Sequence, residues 1–158
     1  MRTPEAIAEA FCQLDFHDDT CVAVRVLPAQ RRADPGASVV EVELLQYSKN
    51  TLQVIRFSGC MNLRVAMDFD VLAGNLPSNT SGIDAHTDQN CMRDLMQSQK
   101  KDWGVEYKGT SVSPLVDKLT KLGEWVCFQV QFFGGAVDVI ARDYSVRAAN
   151  NVPEATAG

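Results

Sequence analysis

The chain has little of what enzymes usually write into a sequence. Only two of its 158 residues are histidine, His17 and His86. Five are cysteine, Cys12, Cys21, Cys60, Cys91 and Cys127, an odd number at wide spacing with no CxxC. That spacing gives no support to a structural zinc site or a dithiol redox centre, and it predicts reduced, mostly buried thiols. No GxSxG, GxGxxG, Walker loop or HExxH occurs. A nucleophile elbow, a phosphate cradle and a metalloprotease helix therefore lack their sequence signatures, and no cofactor and no catalytic residue is expected. No apolar run approaches a membrane span, and Met1 leads into a helical pattern and not into a charged region followed by an apolar run, so the expected location is cytoplasmic. Nor is there a basic excess: 15 Lys and Arg face 20 Asp and Glu, a formal charge of −5. Nucleic acid or an anionic membrane would need the opposite balance.

What is present is one-sided alternation. Val40, Val42 and Leu44 alternate with Glu41 and Glu43, and Leu63, Val65, Met67, Phe69 and Val71 alternate with Asn62, Arg64, Ala66, Asp68 and Asp70. A period of two with apolar groups on one side marks half-buried strands. Val22, Val24 and Val26 predict an earlier strand on the same principle. Residues 51–57 break the rule, because Leu52 and Val54 share one face while Ile55 and Phe57 share the other. A bulge between Val54 and Ile55 would restore one buried face; otherwise the strand is buried on both sides. Ser48-Lys49-Asn50 and Gly134-Gly135 read as hairpin turns. Phe128, Val130 and Phe132 begin the late hairpin, and residues 136–146 return it.

Helices are signalled in three places. Thr3-Pro4-Glu5 caps and opens one, with Ile7, Phe11 and Leu14 as its apolar stripe. A weaker helical pattern covers about 85–103. Ser113-Pro114 to Leu122, stopped by Gly123, is the strongest. Residues 29–37 and 74–82 read as loops. The sum is an α+β domain over residues 1–147: about six antiparallel strands in one sheet, two or three helices on one face, and a disordered tail over 148–158.

Candidate chemistry is sparse. His17, Asp18 and Asp19 could hold a divalent metal or supply a base, but Asp-rich segments before a strand also make simple turns. His86 lies between Asp84 and Asp88 where a helix is expected to start, and acidic groups there suit the helix dipole. Asp68 and Asp70 share a strand face and could act as paired carboxylates, or simply keep that face wet. With strand three between them, Glu41 and Glu43 would lie with Asp68 and Asp70 on one acidic outer face suited to a basic partner.

One resemblance adds to this reading. Phe16-His17-Asp18 leading into an alternating strand, a long hairpin, and a late hairpin ending in Asp143-Tyr144 is similar to small β-rich bacterial proteins, some of them immunity proteins of toxin systems. It implies non-enzymatic binding to a protein partner. The leading expectation is thus a binding or interaction protein that contacts another protein through Glu41, Glu43, Asp68 and Asp70. A metal- or small-ligand-dependent enzyme using His17, Asp18 and Asp19 is the first alternative. A homodimer joined through sheet faces or edges is the second.

Overall fold

A computed structural model describes residues 1–29, 37–70, 76–102 and 124–149, with the backbone alone for 97–102. In chain order the elements are α1 (Pro4–Cys12), β1 (Thr20–Leu27), β2 (Ser38–Leu45), β3 (Leu52–Cys60), β4 (Asn62–Met67), β5 (Thr80–His86), α2 (Gln89–Asp102), β6 (Val126–Phe132), β7 (Gly135–Ala141) and β8 (Asp143–Ala149). Their class is α+β. The strands form two four-stranded antiparallel sheets, ordered β1-β2-β3-β8 and β4-β7-β6-β5. The single sheet of about six strands is thereby corrected. Among the described residues no helix is long and apolar enough to cross a membrane.

The turn expected at 58–60 is a corner between two strands, and the single return strand expected over 136–146 is broken at a matching corner. β3 passes through Cys60 and Met61 into β4, and β7 passes through Arg142 into β8. β3 pairs with β8 and β4 with β7, so a single antiparallel ribbon bends from one sheet into the other. Main-chain bonds from Met61 N to Ile140 O (2.8 Å) and from Arg142 N to Ser58 O (3.1 Å) hold the bend. Gly59 sits there at φ +65°, a conformation a side chain would strain. Alternation does not distinguish a bent strand from a straight one, because each half keeps its own period of two.

The core lies between the two sheets and is closed by α1. Thr3 Oγ1 accepts the Ala6 amide and Pro4 takes the first position, so α1 starts where its capping residues predict. Phe11 reaches from α1 into a ring cluster, 5.0 Å from Phe128, 5.0 Å from Tyr144 and 6.0 Å from Phe57 between centroids. Val40, Val42, Leu44, Ile55, Val126, Val130, Val137 and Val139 complete it from both sheets. A second, smaller cluster joins Met92 and Met96 of α2 to Trp125, Cys127 and Ile140, on the opposite face of β6 and β7. α2 therefore covers part of the second sheet's outer side.

Several local expectations are corrected. β3 carries no bulge between Val54 and Ile55; its register with β2 and β8 runs unbroken from Leu52 to Ser58. Val54 is fully buried on the outer face, across from Glu43 and Arg147, so this strand is buried on both sides. The bulge falls instead between Cys21 and Ala23. It turns Cys21 toward the core beside Val24 and leaves Val22 half exposed. β4 ends at Met67, and Val65 is 50% exposed because β4, among the described residues, is an edge strand paired with β7 alone. Phe69 lies outside the strand and is exposed.

β5 occupies part of the expected 74–82 loop and of the expected 85–103 helix. Ser81, Gly82 and Asp84 mask its alternation, and only Ile83 and Ala85 face the core. Residues 148 and 149 are not tail: they pair with Gln53 and Leu52 in β8. The expected helix at 113–122 lies outside the described residues, as do nearly all of the 29–37 loop and residues 150–158. Asn50 takes φ +50° in the first hairpin turn, as its side chain allows. At the second, a Cβ on Gly135 would sit 1.9 Å from the Ala66 carbonyl oxygen, so glycine is required for β4 and β7 to close. The cysteines are free thiols; Cys60 and Cys127 are buried, Cys21 is half-buried, and Cys12 and Cys91 are exposed.

Candidate functional site

The structure does not bring Glu41, Glu43, Asp68 and Asp70 together. Glu41 and Glu43 lie on the outer face of the first sheet. Asp68 and Asp70 follow β4 in the second, where Asp68 Oδ1 accepts the Asp70 amide at 2.9 Å. The single acidic face fails because β3 continues into β4 and does not pair beside it. Nor are the two glutamates free. Glu41 is only 7% exposed and its Oε1 lies 2.7 Å from Arg56 and 3.6 Å from Arg147. Glu43 lies 3.0 Å from Arg25 Nε. Cross-strand neighbours impose these pairs: Arg25 and Arg56 stand directly opposite Glu41 in the ladder, and Arg147 stands one strand beyond, opposite Val54. Among the described residues these two glutamates are matched by three arginines, so they offer no acidic surplus to a basic partner.

His17, Asp18 and Asp19 form a turn whose side chains diverge. His17 Nδ1 lies 3.1 Å from Asp18 Oδ2, and both are exposed. Asp18 takes φ +66°. Asp19 is buried and its Oδ1 accepts the Tyr47 amide at 3.1 Å. Burial raises its pKa above the ordinary carboxylate value, the Tyr47 bond opposes that, and the charges of Asp15 and Asp18 add to it. Among the described residues no three His, Cys, Asp or Glu side chains are grouped as a metal site would need.

A different set of residues converges on the outer face of the second sheet. The register places Arg64 (β4), Asp138 (β7), Gln129 (β6) and Asp84 (β5) in one row across all four strands. His86 and Cys127 belong to the next row on the same face. Cys91 and Leu95 overhang from α2. Together these eight residues line a groove of about 240 Å³. Alternation explains the row: the partners of Arg64, Asp138, Gln129 and Asp84 along each strand go to the core, so these four must face out.

The electrostatics of the groove are unbalanced by position. Asp138 is 8% exposed, and its Oδ1 accepts Gln129 Nε2 at 2.6 Å. Gln129 is oriented in turn by Gln131 Nε2, which donates to its Oε1 at 2.5 Å. Asp84 accepts its neighbour's amide from Ala85 and faces the Cys12 thiol at 3.8 Å. Among the described residues Arg64, Asp84 and Asp138 form no ion pair, whereas Glu41 and Glu43 on the other sheet both do. Asp88 caps α2 by accepting the Asn90 and Cys91 amides. Its own amide donates to His86 Nδ1 at 3.3 Å, which fixes the ring and leaves Nε2 as the N–H donor.

The thiols at the groove are poor nucleophiles. Burial, helped by the charges of Asp138, Cys91 and Asp84, pushes Cys127 up to about 12. The hydrogen bond to Asp88 raises Cys91. Both are therefore held as thiols, and the thiolate is the reactive form.

The sequence alone pointed to Asp84 and His86 but set them at a helix start. Arg64 and Gln129 read only as outward residues of alternating strands and Asp138 as part of a hairpin arm, and only the cross-strand register could have joined them. No family model matches the chain, and neither a curated protein nor a solved structure does.

Proposed function

We infer that the protein acts by binding and not by catalysis, and that the groove on the second sheet is its binding site. The observation that carries this reading is the nine-tenths buried Asp138 in a row with Arg64 and Asp84, none of them paired with a described charge. Burying a carboxylate without a counter-ion costs free energy, and a bound group that supplies the missing charges recovers it. The protonated thiols and the hydrogen-bonded His86 leave this site with positioned donors and acceptors but no activated nucleophile. Equilibrium dialysis of the wild type and of Arg64→Gln against a small-molecule extract, read by mass spectrometry, tests it. Compounds retained by the wild type alone and recovered unchanged support the reading; compounds consumed with new products appearing overturn it.

A second reading rests on β1. Beyond a bridge from Thr20 to Asn79 at its start, this strand pairs among the described residues with β2 alone, and its Val22 and Val26 are 51% and 54% exposed, beside an exposed Leu27. Apolar side chains on an open strand edge suit strand addition by a protein partner or by a second copy. An immunity-type role would use such a surface. Val22→Lys with Val26→Lys should abolish that association in light scattering without lowering the melting temperature; association unchanged at equal concentration argues against it.

A further inference from the structure

We propose that the groove takes a small zwitterion, its ammonium held by Asp138 and Asp84 and its anionic end by Arg64. This rests on the groove being a binding site and names what would bind there. Three features of the groove select this class. First, its charges are of both signs and separated along one row, Arg64 at one margin and Asp84 at the other, with Asp138 directly opposite Arg64. A ligand of one sign would satisfy one end and be repelled by the other. Second, Asp138 is held by Gln129 on one oxygen only among the described residues, within a side-chain chain Gln131–Gln129–Asp138 that fixes its orientation before anything binds. An ammonium has three donors, which suit a carboxylate already oriented in this way. Third, the groove measures about 240 Å³. At about 30 Å³ for each water-sized unit, that is room for about eight non-hydrogen atoms. His86 Nε2 adds a further donor, and Leu95 offers apolar contact to a short methylene spacer.

Arg64 acts here as the selecting group. It is exposed and on an edge strand, so its replacement removes the anion contact without touching the core. Asp84 is likewise exposed on the opposite edge strand. The two ends of the ligand are thus read by residues whose substitution the fold tolerates.

Isothermal titration of the full chain with 5-aminopentanoate, pentylamine and pentanoate separates the contributions. These probes share a five-carbon chain and differ in which charges they carry. The zwitterion should bind at least tenfold more tightly than either singly charged probe. Arg64→Gln should reduce 5-aminopentanoate to the affinity of pentylamine, and Asp84→Asn should bring it down toward that of pentanoate. Pentylamine binding as well as the zwitterion overturns the proposal in favour of a plain cation site, while the groove stands as a binding site. No binding of any probe, with extract compounds still retained in an Arg64-dependent way, also overturns the ligand class and spares the broader reading. No binding of any probe and no Arg64-dependent retention removes both.

Discussion

Replacing Phe128 by alanine should be among the most damaging changes available in the chain. Its ring is fully buried, 5.0 Å from Phe11, 5.1 Å from Phe57 and 5.6 Å from Tyr144. It therefore ties α1, both sheets and β8 to one another. Phe→Ala at a buried site costs about 3–5 kcal/mol, and ring pairs of this geometry add to the loss. We take about 4 kcal/mol against a total stability of about 5–15 kcal/mol. With a urea slope of about 2 kcal/mol per molar, the midpoint should fall by about 2 M. The control is Val65→Ala, on a strand that alternates just as regularly. Val65 is 50% exposed, so losing two methyl-sized groups at about 0.8 kcal/mol each, half buried, should cost about 1 kcal/mol. Urea denaturation followed by far-ultraviolet circular dichroism measures both. Equal midpoint shifts would refute the placement of the core between the sheets and of Val65 at an open edge.

Other consequences follow from the paired charges and buried acids. Removing both Arg56 and Arg147 by alanine leaves the buried Glu41 without a cation and should cost about 3–5 kcal/mol, whereas Arg56→Ala alone, with Arg147 still 3.6 Å away, should cost less; urea midpoints decide. Asp19 titrates higher in the folded chain than in the unfolded one, so the native state holds more protons between the two values and stability falls as pH rises through that window. Asp19→Asn, which keeps an oxygen for the Tyr47 amide, should therefore raise the melting temperature at pH 7, with the gain vanishing below the ordinary carboxylate range; a gain that grows on acidification would contradict this. In iodoacetamide labelling of the native protein at pH 8, exposed Cys12 should react first, and Cys60 and Cys127, whose thiols burial pushes up to about 11 and about 12, should react only on unfolding.

Much of the strand content was legible because half-buried strands write their period directly into the sequence. Val40, Val42 and Leu44 are core, and Glu41 and Glu43 face outward, as their alternation requires. Capping chemistry placed α1, and Asn50 marked its turn. What was not legible depends on partners distant in sequence. A turn at Ser58-Gly59-Cys60 is legible, but not that it carries the chain from one sheet into the other and not back beside β3. A bulge at Val22 puts Cys21 in place of Val22 on the core face of β1 without altering composition. Glu41 looks exposed in one dimension, yet arginines from strands on either side bury it. Asp138 lies among residues that read only as the return arm of a hairpin, and its meaning comes from Arg64, 74 positions earlier and directly opposite it. β5 escaped because small and polar residues on its outer face hide its period, and that outer face supplies Asp84 and His86 to the groove.

The place where a ligand touches the molecule decides whether the groove is the binding site. Backbone amide shifts recorded during titration with 5-aminopentanoate report that directly. Saturable changes should centre on Arg64, Asp84, His86, Gln129 and Asp138, with β1 and the turn at His17 to Asp19 unmoved. Shifts centred on His17 to Asp19 or on β1, or no saturable shift in the second sheet, would contradict it.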